Sequence, residues 1–214
     1  MDSILSLGIT DKVSAINHIM SSIGMVGIST EDDIDYSIDA SDASKLIDNI
    51  SQVVQSNGGK GYWFNRENFH KLKPSEVDGK VKVPNNTLTC TIKREGDTVV
   101  PINLRGQYLF DSEKHGYDMR EAARSDGFLH CRLIVNLPFD TLPATAKHAI
   151  VDQARFWMVN DKEGDVTKMN SLKEQASISM VALVSEDRGQ RRQNAFNNPN
   201  IRYTMGMVGG LNNN

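Results

Sequence analysis

Oxygen-bearing side chains of one possible metal site lie in the acidic segment STEDDIDYSID, residues 29–39. Its members at alternating positions have the spacing of a calcium-binding EF-hand loop, namely Asp33, Asp35, Ser37 and Asp39. Such a loop needs glycine at its sixth position and a bidentate glutamate at its twelfth, where this chain has Ile38 and Ser44. The segment therefore predicts a solvated loop leading into a helix, whose dipole the acids suit.

The histidines and cysteines show no local metal or catalytic signature, which leaves a Cys–His nucleophile as an open alternative. No histidine stands at metal-ligand spacing from another histidine or a cysteine. His130 and Cys131 are adjacent on a predicted strand, so their side chains should point to opposite faces. Cys90 and Cys131 could form a disulfide only if their two strands were neighbours. The alternative, which we favour in a chain with two cysteines, is a pair of reduced core residues.

Two further candidate sites lack specificity. The glycine-rich stretch GGKGY at 58–62 follows a predicted helix and precedes a strand, the reverse of the order in phosphate-binding loops. The 27 acidic residues could supply a carboxylate pair for glycoside hydrolysis, but no spacing singles out a pair. We therefore predict no catalytic residue, no metal ligand and no cofactor.

The segment EDRGQRRQNAFNNPN, residues 186–200, stands apart from the rest of the chain. It contains three arginines and one isolated aromatic residue, namely Arg188, Arg191, Arg192 and Phe196. Without helical or strand periodicity, it predicts an irregular arm that becomes ordered when it binds a partner, through arginine pairing and one aromatic anchor. The alternative is a passive, solvated tail.

Composition limits the classes of function. The chain has 214 residues, of which 24 are Lys or Arg and 27 are Asp or Glu, so the formal net charge is −3. This charge argues against a general nucleic-acid-binding protein. The opening residues lack a basic region and a long apolar run, and no stretch approaches the ~20 apolar residues of a bilayer span. We expect a protein that folds in a cytoplasm.

Hydrophobic periodicity predicts helices at both ends of the chain and strands between them. Helical stripes predict helices over 11–23 and 40–55, then over about 140–157 and 166–187, whereas 60–138 alternates as an antiparallel meander of five or six short strands. Thr10 is the predicted N-cap of the first helix. The residues predicted to be buried between helices are Val13, Ile16, Met20, Ile47, Ile50, Ile150, Trp157, Leu172 and Leu183.

The predicted fold class is α+β: a four-helix bundle interrupted by an antiparallel β domain and followed by an irregular C-terminal arm. The predicted boundaries give a first helix pair, the β domain, a second helix pair and the arm, at 1–59, 60–138, 139–187 and 188–214. Each helix pair alone would leave its apolar stripe uncovered, so we expect the two pairs to pack together.

Several motifs, taken in order, resemble a known family. AINHIMSSIG followed by GISTEDDIDYSIDASDASKLIDNISQVVQSNGGKGYWFN resembles the start of tail tubular protein A, the head-to-tail adaptor of short-tailed phages (podoviruses). The family's GW-F-N pattern stands here as GYWFN, with Tyr62 before Trp63. The resemblance resumes at LPATAKHAIVDQARFWMVN, at the long helix with Glu174, and at EDRGQRRQNAFNNPN. It is interrupted over about 75–126.

This resemblance implies a helical bundle that bears a β domain and assembles as a dodecameric ring below the phage portal protein. A hexameric tail nozzle protein, tail tubular protein B, would dock beneath it, and double-stranded DNA would pass through the channel without specific binding. The chain would belong to the virion tail, assembled in the host cytoplasm and without a membrane contact. The resemblance makes the arm the portal-binding segment, with Arg188, Arg191, Arg192 and Phe196 as its binding residues.

The leading hypothesis is therefore a non-enzymatic structural adaptor. The alternative is a tail-associated glycan hydrolase. A third class, a nucleic-acid-binding protein that uses the arginines of the arm, is disfavoured by the net charge.

Overall fold

Helices occupy both ends of the described chain and strands occupy its middle. The computed structural model describes residues 8–93 and 99–196. Its α-helices there are α1 (Lys12–Ser22), α2 (Ile38–Ser56), α3 (Ala144–Lys162) and α4 (Val166–Phe196). Its strands there are β1 (Arg66–Leu72), β2 (Thr87–Lys93), β3 (Val99–Val100), β4 (Ile102–Arg105), β5 (Tyr108–Asp111) and β6 (Leu129–Val135). The predicted α+β class is confirmed.

Side-chain caps explain where the first two helices begin. Asp11 caps α1, because its carboxylate accepts a hydrogen bond from Ser14 N at 2.7 Å while its own N donates to Ser14 Oγ at 3.1 Å. The prediction of Thr10 as the cap is therefore wrong by one residue. Ser37 caps α2 by accepting a hydrogen bond from Ala40 N. Both helices begin and end within two residues of their predicted limits.

Small and branched apolar residues hold the helices together. Helices α1, α2 and α3 pack on one another, and α4 packs along α3. Fully buried alanines allow a close approach: Ala15, Ala40, Ala43, Ala146, Ala149 and Ala154. The predicted core residues that are buried are Ile16, Met20, Ile47, Ile50, Ile150, Leu172 and Leu183. Val13 is only half-buried, and the prediction for Trp157 is wrong, since 48% of this residue is exposed.

Strand β6 lies at the centre of the main sheet. This antiparallel sheet has the order β1-β6-β2-β3, while β4 and β5 pair separately. The predicted meander is wrong, because the last strand is inserted between the first two. The burial of β6 explains its place: five of its seven residues are buried, whereas none of the residues of β1 is. The exposed strand takes the edge.

The sheet has an apolar core of its own. That core contains Val81, Val83, Ile92, Val100, Leu109, Met119, Leu129, Leu133 and Val135, among others. The helical core is a separate cluster, into which Tyr62 and Phe139 also pack. Tyr62 and Trp63 precede β1, and Tyr62 is buried in the helical cluster.

Two buried amide side chains join the helical part to the sheet. Asn65 Nδ2 donates to the carbonyls of Gln55 and Val135, and its Oδ1 accepts from Tyr62 N at 2.7 Å. The Gln55 side chain donates to Leu137 O at 2.9 Å and accepts from Leu137 N at 2.8 Å. Backbone groups at the junction are thereby satisfied away from water, which fixes where α2 meets the sheet.

Candidate assembly surfaces

Helix α4 extends well beyond its predicted end. It continues through residues 186–196 to Phe196, so the prediction of an irregular arm is wrong for this stretch. The rest of the predicted arm, residues 197–214, lies outside the described residues. Its described side chains Asp187 and Arg191 make ion pairs, which need no apolar period in the sequence.

Asp187 links this part of α4 to the sheet through an ion pair with Arg66. Its two carboxylate oxygens lie 2.8 Å and 3.1 Å from Arg66 Nη2, which belongs to the first residue of β1. The side chains of Asp187 and Arg66 are only 6% and 11% exposed. Arg66 also donates to the carbonyl oxygens of Lys60 and Gly61, at 2.8 Å each. The pair therefore ties the C-terminal third of α4 to the first residue of β1, with its charges largely out of water.

The low solvent exposure of this pair shifts the pKa values of neighbouring groups. Burial lowers the pKa of Arg66, and the neighbouring carboxylate of Asp187 opposes that shift. Burial, followed by the charge of Asp187, raises the pKa of Tyr62. The Tyr62 hydroxyl is buried without a hydrogen-bond partner among the described residues. Removal of either charge would leave the other one buried without a partner, which destabilises the fold.

The structure places two of the predicted portal-binding residues on one turn of α4. Arg191 Nη2 lies 2.7 Å from Asp187 Oδ2, an i,i+4 ion pair that supports the helix, while much of its side chain stays exposed. Arg188 is exposed on the same turn. The side chains of Arg192 and Phe196 lie outside the described part, so the grouping of all four remains a prediction.

A shallow groove begins between α3 and α4 and continues along α4 to Arg188. It consists of two adjoining hollows of about 280 Å³ and 410 Å³, which share Ser177 and Met180. Its apolar walls are Phe156, Trp157, Ala176, Met180, Val181 and Val184. The exposure of Trp157 follows, since the α4 residues that line its hollow include Ala176 and Ser177, which are too small to cover an indole.

The outer surface of α4 continues this apolar character. Val166, Ile178 and Val181 are all exposed, together with Trp157 on α3. Contiguous exposed apolar patches mark interaction sites, whereas single exposed apolar residues are normal. We define the helical contact surface as the α3–α4 groove together with Arg188 and Arg191.

A separate hollow, of about 490 Å³, lies on the sheet. It is lined by Asn68, Phe69, Thr91, Lys93, Arg124, His130, Cys131 and Arg132. None of these described lining residues is Asp or Glu, so they do not supply the carboxylate pair that glycoside hydrolysis uses. The sequence pointed to this region only through His130 and Cys131, and it gave no signal for Phe69 or Arg132.

The acidic segment contains a short 3-10 helix, Glu31–Tyr36. Asp33 Oδ2 accepts hydrogen bonds from Ser29 N at 3.0 Å and Thr30 N at 2.9 Å. These bonds lower the pKa of Asp33, with the bond from Thr30 as the larger cause. Within the described part of the chain, no three His, Cys, Asp or Glu residues form a group that could hold a metal ion.

The two cysteines lie on neighbouring strands without forming a disulfide. Both are buried and free, as predicted. In the register of β2 and β6, Cys90 is opposite Leu133 and Cys131 is opposite Ile92. A hydrogen bond with Cys131, followed by burial, raises the pKa of the Cys90 thiol. That shift favours the neutral thiol, which is a poor nucleophile and metal ligand.

Comparisons with known proteins agree with the resemblance noted in the sequence. The model of the family described as tail tubular protein matches residues 13–195, which include α4 as far as the penultimate residue of the helix. No curated protein matches the chain. Among the described helices, none combines the length and hydropathy that crossing a bilayer requires.

Proposed function

The chain belongs to the tail tubular protein family, and from that premise we propose that it forms the ring that joins a phage portal to the tail nozzle. Family membership gives it a structural role in a phage tail. In the proposed assembly, about twelve copies surround a channel for double-stranded DNA. The observation that carries the proposal is the family match over residues 13–195.

The helical contact surface supports a portal-facing role for α4. An exposed indole and a groove with apolar walls offer burial to a partner, and Arg188 and Arg191 offer charge-assisted hydrogen bonds at the groove's end. We propose that portal carboxylates or carbonyls pair with Arg188, Arg191 and Arg192. An apolar portal side chain would enter the groove, and Phe196 would add an aromatic anchor.

The Asp187–Arg66 pair supports this role in a different way. It holds the end of α4 against the sheet, so the arginines are presented on an ordered helix. Residues that are already ordered before binding lose less conformational entropy when the complex forms. Within the proposed ring, the sheet would face the nozzle protein, and the net charge of −3 would let DNA slide without strong attachment.

The proposal is non-enzymatic. The acid-free lining of the sheet hollow favours it over the glycan hydrolase, and the raised pKa of the buried Cys90 thiol disfavours a thiol enzyme that would use Cys90. Reproducible glycan turnover by the pure protein would refute this part of the proposal.

Portal binding tests the function. The purified chain is mixed with its cognate portal, and the product is separated by size and imaged by electron microscopy. Arg188→Glu should lower the yield of portal-bound rings at least tenfold, because it places a carboxylate where a cation is proposed to pair. Lys45→Glu, an equal charge change at an exposed site on α2, is the matched control and should leave the yield unchanged. Equal yields for the two variants would contradict the assignment of α4 to the portal.

A further inference from the structure

Two further surfaces lie outside the helical contact surface. The first comprises residues 25–38, from the connection after α1 to the first residue of α2; from here on, the name acidic segment covers this whole range. Its exposed apolar residues are Met25, Val26, Tyr36 and Ile38, and Tyr36 is 91% exposed. The 3-10 helix within it has no buried residue. A surface this apolar is unusual for a solvated connection.

The acidic segment also carries charge of one sign. It contains four carboxylates and neither Lys nor Arg. Asp33 is occupied by its bonds to backbone amides, but Glu31, Asp32 and Asp35 are exposed. Apolar anchors next to carboxylates of one sign fit a surface that offers an aromatic contact and cations.

The hollow on the sheet offers such a surface. Phe69 is 84% exposed and has a φ of 65°, at the bulge where β1 leaves its register with β6. A bulky residue in this left-handed region is an outlier whose strain the surrounding structure must maintain. The bulge thus holds an aromatic ring out in solvent on an edge strand, where the ring can contact a partner.

The cations of the hollow are held in place by backbone oxygens. Arg132 Nη2 donates to Lys60 O at 2.8 Å, and Arg124 Nε donates to Lys93 O at 3.2 Å. Both guanidinium groups keep further N–H groups for a carboxylate ligand, since each has five. Thr91 and Asn68 in the lining add neutral polar atoms. We call this surface the basic groove.

The occupant that best fits the basic groove is carried by the chain itself. The acidic segment supplies exposed carboxylates and a tyrosine, and the groove supplies two arginines and a phenylalanine. The two surfaces lie on different elements, one between α1 and α2 and the other on β1, β2 and β6. A contact between two different surfaces of identical copies is head-to-tail, and its repetition closes a ring when the rotation per copy allows it.

We propose that the acidic segment of one copy docks in the basic groove of the next, with Tyr36 against Phe69 and Asp32 and Asp35 facing Arg124 and Arg132. This proposal rests on the proposed function, because it names the contact that closes the ring. It also gives the strained position of Phe69 a purpose that packing within the subunit does not provide.

Two variants of the full chain test the contact. Each has one of the two surfaces disabled and the other intact, and we call them the half-defective variants. The first reverses the acidic segment with Asp32→Arg and Asp35→Arg. The second removes the aromatic ring and one cation of the basic groove with Phe69→Asn and Arg132→Ala, where asparagine suits the positive φ. All four positions are exposed, so both variants should remain folded, which thermal unfolding checks. Glu113→Arg with Asp161→Arg is the control, with the same charge change as the first variant at other exposed sites.

Sedimentation velocity and mass photometry, with and without portal, then give the assembly state. Each half-defective variant alone should be monomeric at concentrations where the control forms rings. Mixed together, they should form a one-to-one dimer and nothing larger, because only one intact segment and one intact groove remain. Raising the salt from about 50 mM to 500 mM should weaken that dimer at least tenfold, since screening acts on the charge pairs.

The outcomes separate this proposal from the proposed function. If the control forms rings and both half-defective variants form them equally well, the contact is wrong and the ring function stands. Monomeric variants that fail to form the mixed dimer also overturn the contact. If the unsubstituted protein forms no ring, either alone or on the portal, the proposed function itself is wrong.

Discussion

Asp187→Asn is the most informative single substitution for the stability of the fold. The asparagine keeps the size of the side chain, so no cavity forms and the loss is electrostatic. It leaves the guanidinium of Arg66, which is only 11% exposed, without its carboxylate partner. Breaking a buried ion pair by removing one charge costs roughly 3–5 kcal/mol.

The contacts that remain place the loss at the lower end of that range. Arg66 keeps its hydrogen bonds to Lys60 O and Gly61 O, and asparagine can still accept one bond. We therefore expect the free energy of unfolding to fall by about 3 kcal/mol. In a chain of this size, such a loss lowers the melting temperature by about 6–12 °C.

Urea unfolding followed by circular dichroism measures this effect. Asp161→Asn, at an exposed position on α3, is the control and should change the free energy of unfolding by less than about 0.5 kcal/mol. The double variant Arg66→Met with Asp187→Leu should lose less stability than Asp187→Asn, because no charge is left buried. A loss below about 1 kcal/mol for Asp187→Asn would refute the view that this pair anchors α4.

Three other expectations follow from the same contacts. Trp157→Ala should lower the free energy of unfolding by about 2 kcal/mol, roughly half the cost of removing a fully buried tryptophan, and it should weaken portal attachment in the binding assay. Arg191→Ala with Arg192→Ala should weaken portal attachment most at low salt, whereas the effect of Phe196→Ala should hardly depend on salt; identical salt profiles would contradict separate charged and apolar roles. Burial lowers the pKa of His18 from its usual value of 6.5, so folding favours the neutral imidazole. The stability that this shift contributes is fully present above pH 6.5 and is lost as the pH falls through the folded pKa. His18→Gln should therefore flatten the fall in unfolding free energy between about pH 7.5 and pH 5, measured by urea titration.

Apolar periodicity predicted the helices and most of the helical core. Ile16, Ile47 and Ile150 recur at helical spacing, and all three are buried. Trp157 follows the same spacing and is exposed, because burial also depends on what the neighbouring helix supplies. The small residues Ala176 and Ser177 of α4 line its hollow, and no pattern within α3 contains that information.

Charged contacts and strand order were harder to predict. The C-terminal part of α4 is held against the sheet by Asp187. Its partner Arg66 lies 121 positions away in the sequence, so no local pattern reveals the pairing. The meander was a wrong prediction, since neighbours in the sheet depend on which strand is buried on both faces, as β6 largely is. Phe69 gave no signal either, because a bulge depends on register with a partner strand.

The assignment of portal-binding residues stays a prediction. The sequence identified Arg188 and Arg191 by their setting in a segment without apolar periodicity, and the structure places both on one exposed turn of α4. The expectation of an irregular arm failed over 188–196, because ion pairing can support a helix that has no apolar stripe. The acidic segment was predicted as a solvated loop, and the exposure of Tyr36 within it was not anticipated.

The most direct test of the central claim is an electron-microscopic reconstruction of the chain bound to its cognate portal. The account predicts a closed ring of about twelve copies around an open channel, with the Arg188 end of α4 against the portal and the sheet directed away from it. A bound chain that formed no ring, or a ring whose sheet faced the portal while α4 pointed away, would contradict the account.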